Sequence, residues 1–256
     1  MWFYPKIVAH RGGGTLAPEN TLAAMRTGLA HGFRAVEFDV MLSSDRIPVL
    51  MHDPEFGRTV SGRGKVCEAT ARQLAAMDAG SWFGPEFAGE PVPTYEQVVR
   101  YCKENGIWMN VEIKPAPGFE DETGRVVAEW TQQLYADELA ACIPGTNNAS
   151  LPLLSSFSED ALAAAQTMAP RMPRGLLVDR IPADWDARLR RFDAIALHTD
   201  HRNLTPALAA AVKKAGYGLF CYTVNAPARA RELLAWGVDA FCTDRIDLIT
   251  PAAFSF

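Results

Sequence analysis

The chain has 256 residues, 48% of them hydrophobic and 21% charged, which is ordinary for a globular protein and enough to bury a large core. Thirty acidic against 25 basic residues give a net charge of −5, a balance that excludes a broad nucleic-acid footprint but leaves room for a local basic pocket. No apolar run reaches the roughly 18 residues of a membrane helix, and the segment before Ile7 is too short for the apolar part of a signal peptide. The sequence therefore predicts a cytoplasmic protein with small-molecule partners, no nucleic acid and no membrane.

In chain order, eight short apolar runs stand out: Ile7 to His10, Ala35 to Val40, Trp108 to Lys114, Pro152 to Phe157, Gly175 to Asp179, Ala194 to His198, Gly218 to Val224 and Val238 to Thr243. Each is near-continuously apolar, as strands buried on both faces are. Helix-periodic stretches lie between them, around 19–31, 94–105, 122–141, 159–168, 184–191, 206–215 and 227–236. The first carries Leu22, Met25 and Leu29 on one stripe, starts at Pro18-Glu19 and stops at His31-Gly32, where a glycine ends the helix and His31 complements its negative end. Eight strands alternating with helices predict an α/β fold, a (β/α)8 TIM barrel in one domain spanning 1–256. The rival, a doubly wound open sheet, lacks support because no G-x-G-x-x-G follows a strand; Gly12-Gly13-Gly14 has the wrong spacing.

Two regions interrupt the alternation. In "VMLSSDRIPVLMHD" apolar runs flank Ser43-Ser44-Asp45-Arg46, which predicts a hairpin extending the second strand and places Glu37 roughly opposite His52. Residues 53–93 follow as a small insertion rich in Gly, Pro and aromatics, read as a lid or a substrate wall. Cys67, Cys102, Cys142, Cys221 and Cys242 are odd in number and widely spaced, without zinc-ligand spacing, so they read as reduced core residues.

In such barrels the active site lies at the C-terminal ends of the strands. There the sequence places His10 and Arg11, then Glu37 and Asp39, His52 and Asp53 on the returning hairpin strand, Glu112 and Lys114, and His198, with His201 just beyond. In "VAHRGGGTLAPENT" a strand runs straight into His10 and Arg11 and then into three glycines, which permit a sharp turn and a close approach. That is the pattern of an anion site. Glu37 and Asp39 share one face of their strand, and Glu112 can join them from the next. Three converging carboxylates repel one another, a conflict that a hard divalent cation, Mg²⁺ or Ca²⁺, resolves through oxygen ligation. The other way to satisfy each of them is to pair it with Arg11 or Lys114. His10 and His52 beside this cluster favour acid–base chemistry on an anion, against the plainer role of hydrogen-bonded core histidines. Phe157 and Tyr222, at strand ends, are candidates for substrate contacts or for core packing.

The segments "AHRGGGTLAPENT", "VEFDV", "PVLMHD", "VEIKP", "LLSSF", "YTVN" and "GVDAFCTD" resemble, in order and spacing, the glycerophosphodiester phosphodiesterases, and most of all their bacterial cytosolic branch. The resemblance implies a barrel with an insertion after the second strand. It also implies metal-dependent hydrolysis of glycerophosphodiesters to sn-glycerol 3-phosphate and an alcohol. Glu37, Asp39 and Glu112 would be the metal ligands, His10 and His52 the acid–base pair, and Arg11 and Lys114 the phosphate contacts. Two alternatives use the same barrel: a phospholipase-like lyase that releases a cyclic phosphate, and a barrel that binds glycerophosphodiesters without cleaving them. "LHTDHRNL" is less diagnostic and assigns no role to His198 or His201.

Overall fold

The computed structural model describes residues 2–142 and 148–254. Its strands are β1 (Ile7–Ala9), β2 (Ala35–Leu42), β3 (Pro48–Leu50), β4 (Trp108–Ile113), β5 (Leu153–Ser156), β6 (Arg174–Val178), β7 (Ala196–Asp200), β8 (Gly218–Tyr222) and β9 (Ala240–Thr243). All but β3 run parallel. The ring closes because β1 pairs with β9 on one side, Val8 level with Cys242, and with β2 on the other, Ala9 level with Val36. The helices are α1 (Leu22–Ala30), α2 (Ala71–Leu74), α3 (Tyr95–Glu104), α4 (Glu120–Leu134), α5 (Ala136–Ala141), α6 (Glu159–Met168), α7 (Trp185–Arg191), α8 (Pro206–Lys214) and α9 (Pro227–Ala235). Helices alternate with the strands of the ring, so the fold is the expected (β/α)8 barrel.

Every strand residue is shielded, or nearly so, because helices cover the outside of the barrel and packed side chains fill the inside. At the N-terminal end, Tyr4 stacks on Trp108 with ring centroids 4.4 Å apart and Trp2 meets both rings edge-on, a plug that leaves only the opposite end open. Two inward glycines make room for rings. A Cβ on Gly218 would lie 2.7 Å from the Trp2 ring, and one on Gly175 would lie 2.8 Å from Nε2 of His198. Arg174 is almost wholly buried below this level, where it donates to the carbonyl oxygens of Phe192, Met172 and Ala169 and pairs with Asp193 at 3.0 Å. It thereby satisfies acceptors at the C-terminal ends of α6 and α7 that the helices themselves leave unpaired.

Four local expectations change. The first helix begins at Leu22 rather than at Pro18-Glu19, because the Thr21 side chain accepts from the Ala24 N–H and caps it there. The hairpin register pairs Val40 with Leu50 and Leu42 with Pro48, which puts His52 level with Phe38, one residue away from Glu37. His198 lies in the middle of β7, not at its end. Of the cysteines, all free, Cys102, Cys221 and Cys242 are core residues, but Cys67 and Cys142 are only partly buried.

The insertion after β3 builds its own small core from residues such as Met51, Val60, Val66, Leu74 and Val92, packed on Met41 and Val49 of the hairpin. It is pinned rather than loose. Asp78 accepts from the backbone N–H groups of Gly80, Ser81 and Gly89, and Glu90 accepts from the Ala23 N–H in the first turn of α1 while pairing with Arg26.

Candidate active site

At the open end of the barrel lies a cavity of about 220 Å³, lined among others by His10, Arg11, Glu37, His52, Glu112 and Lys114. Parallel pairing of β2 and β4 sets Asp39 level with Glu112 and Glu37 level with Asn110. The alternation of a strand then points Glu37, Asp39 and Glu112 to the same side, and one oxygen from each falls within 4.8 Å of the others. All three carboxylates are buried.

Their charges are divided unequally. Burial, reinforced by the neighbouring charge of Asp39, raises Glu37 to about 7 and Glu112 to about 8. Asp39 is held down at about 2, although burial opposes its charge, by Lys114, Arg11 and His52 and by its hydrogen bond from Asn20. Lys114 Nζ lies 3.2 Å from Asp39 and 3.4 Å from Glu112, and Arg11 Nε lies 3.5 Å from Asp39. Pairing with Arg11 and Lys114 therefore exists, yet it leaves two buried acids strongly raised. Three hard oxygen donors at this spacing, short of positive charge, fit a divalent cation such as Mg²⁺ or Ca²⁺.

The loop after β1 shows why the sequence places three glycines there. Gly14 takes φ +53°, and a Cβ on it would lie 2.1 Å from the Asp244 carbonyl oxygen, so the loop can close on the end of β9 only without a side chain. Arg11 and Asn20 take φ +51° and +60°, a left-handed conformation unusual outside glycine, and are tied by the Asn20 N–H donating to the Arg11 carbonyl at 3.1 Å. The strained pair is functional in shape. Asn20 donates to an Asp39 carboxylate oxygen at 2.9 Å and accepts from the Asp39 N–H, while the Arg11 N–H donates to Glu37.

His10 and His52 both line the cavity that holds this cluster. His10 Nδ1 lies 2.5 Å from Asp244 Oδ1 and its Nε2 lies 3.7 Å from Glu37. Burial opposes its charge, but the Asp244 hydrogen bond and the charges of Glu37 and Asp244 outweigh burial and raise its pKa. His52 Nδ1 lies 2.6 Å from Asp53 Oδ1, and here burial, with Arg11 and Lys114, lowers the pKa despite Asp39 and Asp53. Opposite shifts in one cavity suit a pair that passes a proton in turn.

Phe157 is 48% exposed at the rim and meets Tyr222 edge to face at 5.7 Å, while the Tyr222 hydroxyl donates to the Val178 carbonyl. Both rings line the cavity. His198 also borders it but is fully buried, stacked on Phe220 at 4.6 Å, with neither ring nitrogen hydrogen-bonded among the described residues. His201 is not part of this wall; its ring accepts from Arg229.

Asp244, Asn20 and Glu19 escaped the sequence reading as site residues; Asp53 is placed there beside His52, but the sequence assigns it no role. Asp244 directly follows the last strand, where the rule that placed the other polar groups would have found it. Nothing in the local pattern marks Asn20, whose part depends on the left-handed turn.

The model of the glycerophosphoryl diester phosphodiesterase family matches residues 10–248. A phosphodiesterase from Oleispira antarctica, solved in complex with the product sn-glycerol-3-phosphate, is 34% identical and superposes with a TM-score of 0.87, covering 98% of this chain and 97% of that one. A glycerophosphodiester phosphodiesterase from Caldanaerobacter subterraneus subsp. tengcongensis is 32% identical over 243 residues, 93% of each chain. The crystal structure of the Agrobacterium tumefaciens glycerophosphodiester phosphodiesterase, 26% identical, superposes at 0.78 over 95% of this chain and 98% of its own. The barrel and the open-end cavity thus define an enzyme of the phosphoric diester hydrolase class. The chain belongs to the glycerophosphoryl diester phosphodiesterase family.

Proposed function

We propose that this enzyme hydrolyses glycerophosphodiesters to sn-glycerol 3-phosphate and an alcohol, with a divalent cation, Mg²⁺ or Ca²⁺, and histidine acid–base catalysis. Glu37, Asp39 and Glu112 would hold the ion, which when bound supplies charge stabilisation at the phosphoryl oxygens. Arg11 and Lys114 bind the phosphate and offset charge developing on it. His10 and His52 move protons to and from the departing and attacking oxygens, each with its Nδ1 tied to a carboxylate so that Nε2 is free to face the substrate. Phe157 and Tyr222 contact the remainder of the substrate at the rim. We take 1–256 as one catalytic domain in which 53–93 form the wall of the mouth. A cytoplasmic location belongs to the same proposal, and cell fractionation tests it; among the described residues no helix is long and apolar enough to cross a membrane.

The observation that carries this reading is the meeting of three buried carboxylates, two histidines and two cationic side chains around one cavity. The route we favour begins with attack by the substrate's own glycerol hydroxyl on phosphorus, which breaks the P–O bond to the alcohol and releases it protonated, and water then opens the cyclic phosphate to glycerol 3-phosphate, because a neighbouring hydroxyl supplies a large effective molarity. Purified protein incubated with glycerophosphocholine and glycerophosphoethanolamine, with and without a chelator, tests the whole reading through release of glycerol 3-phosphate. Lack of release from both in the presence of Mg²⁺ and Ca²⁺ would sink it.

A further inference from the structure

The network behind Arg11 and His52 reaches into the insertion. Arg58 donates from Nε to Asp53 Oδ2 at 2.6 Å, and from Nη1 and Nη2 to the two oxygens of Glu19, both at 2.7 Å. Each of those carboxylates also holds a site residue, Asp53 through its other oxygen and Glu19 through an oxygen it shares with Arg58. Asp53 Oδ1 meets His52 Nδ1 at 2.6 Å, and Glu19 Oε1 accepts from Arg11 Nη1 at 2.7 Å. One guanidinium thus stands between two arms, one ending on Arg11 and the other on His52, both of which line the cavity. We infer that Arg58 is a positioning residue of the insertion, fixing the directions of Arg11 and His52 together.

Three features favour a positioning role over a surface ion pair. The contact is a fork: three donors in one plane meet two carboxylates, a geometry that fixes orientation as well as charge. The backbone that carries Arg58 is itself anchored, since Gly57 N–H donates to the Val60 carbonyl and Val60 is buried in the insertion's core. Glu19 is shared. Without Arg58, both its oxygens are free for Arg11, whose guanidinium can then swing toward Glu19 and away from Asp39. Asp53 loses its outer partner at the same time, which leaves its carboxylate free to rotate and with it the His52 ring. The two arms also predict a division of labour: the Glu19 arm acts on phosphate binding and the Asp53 arm on proton transfer.

This inference rests on the roles proposed above for Arg11 and His52. The experiment measures kcat and KM for glycerophosphocholine in Arg58→Gln, Arg58→Lys, Glu19→Gln and Asp53→Asn, with melting temperatures alongside. Arg58→Gln should lose about 10–100-fold in kcat/KM, the usual effect of groups that orient catalytic ligands, through both parameters. Glu19→Gln should act mainly on KM and Asp53→Asn mainly on kcat, and Arg58→Lys, which keeps the charge but not the fork, should recover only part of the loss. The double variants of Arg58→Gln with either partner should fall little below the worse single variant, since the same interaction cannot be lost twice. Strict additivity in both cycles, unchanged kinetics in Arg58→Gln, or full recovery in Arg58→Lys would each overturn the inference. Arg11→Ala and His52→Ala serve as controls: if these are as active as the parent, the proposed roles themselves fail, whereas impaired controls beside an unaffected Arg58→Gln sink the inference alone.

Discussion

His10 and Asp244 are 234 positions apart, yet Nδ1 of one lies 2.5 Å from Oδ1 of the other. Closure of the barrel makes them neighbours, because β1 and β9 are paired with Ala9 level with Thr243. Asn225 donates to the other Asp244 oxygen at 2.8 Å, so the carboxylate is fixed at both ends. An ionised carboxylate only accepts, so the His10 proton stays on Nδ1 and Nε2 is presented to the cavity. Asp244→Asn keeps the shape but can offer its N–H₂ to the ring, which favours the wrong tautomer. We expect kcat to fall by at least about 10-fold with the fold intact, the scale of effect seen when an orienting partner is lost. Wild-type kcat in this variant, measured by glycerol 3-phosphate release, would deny Asp244 any part in the reaction.

Replacing His10 or His52 by Ala should lower kcat by about 10²–10⁴-fold, the range for a general acid or base. Circular dichroism and melting should show a folded barrel in both variants. A variant with near-parental kcat returns its histidine to a structural role.

Metal binding should depend on pH. In the metal-free protein Glu37 and Glu112 are raised to about 7 and 8, so below these values they are protonated and an incoming cation must displace their protons. Affinity for Mg²⁺ or Ca²⁺ should therefore climb as pH rises through this window and level off above it, with proton release measurable by calorimetry in buffers of different ionisation enthalpy. Glu112→Gln should weaken binding sharply, because an amide retains the shape without the charge. Affinity that is flat across the window, or unaltered by Glu112→Gln, contradicts the assignment of these ligands.

A glycerophosphodiester analogue with the hydroxyl next to the phosphate-bearing carbon replaced by hydrogen distinguishes the two routes. Attack by that hydroxyl cannot occur, so the analogue should bind through Arg11 and Lys114 and inhibit competitively without turnover. Hydrolysis at a rate comparable to the parent compound would replace the cyclic route by direct attack of water.

His198 yields a stability prediction. Burial pushes its pKa down to about 3, so between that value and the ordinary 6.5 the unfolded chain binds a proton that the folded chain refuses. Stability must then fall as pH drops through this interval, by linkage. His198→Phe removes the titration and keeps a ring on Phe220. The gap between its melting temperature and the parent's should shift in the variant's favour as pH falls from 7 toward 4. A gap that stays constant or shifts in the parent's favour with acid means that His198 is protonated in the folded state.

The barrel was legible in the sequence because its strands are buried on both faces. Ile7 to Ala9 or Gly218 to Tyr222 must be short, apolar runs, and the helices between them must carry a stripe and a stop. The same periodicity put Glu37 and Asp39 on one face, since a strand alternates sides whatever it packs against. What sequence alone could not supply was the distance between strands and the conformation of the loops above them. Which residue meets His52 depended on a hairpin register that slipped by one from the simplest count, and a slip of one changes every opposite neighbour. The first helix begins at Leu22 rather than at Pro18-Glu19, because Thr21 caps it and the preceding Asn20 turns left-handed, with its side chain on Asp39. The partner of His10, Asp244, and the link from Arg58 to Arg11 through Glu19, were decided by ring closure and by the docking of the insertion. Those contacts join segments far apart in the chain or around a turn, where period and propensity carry no information about who meets whom.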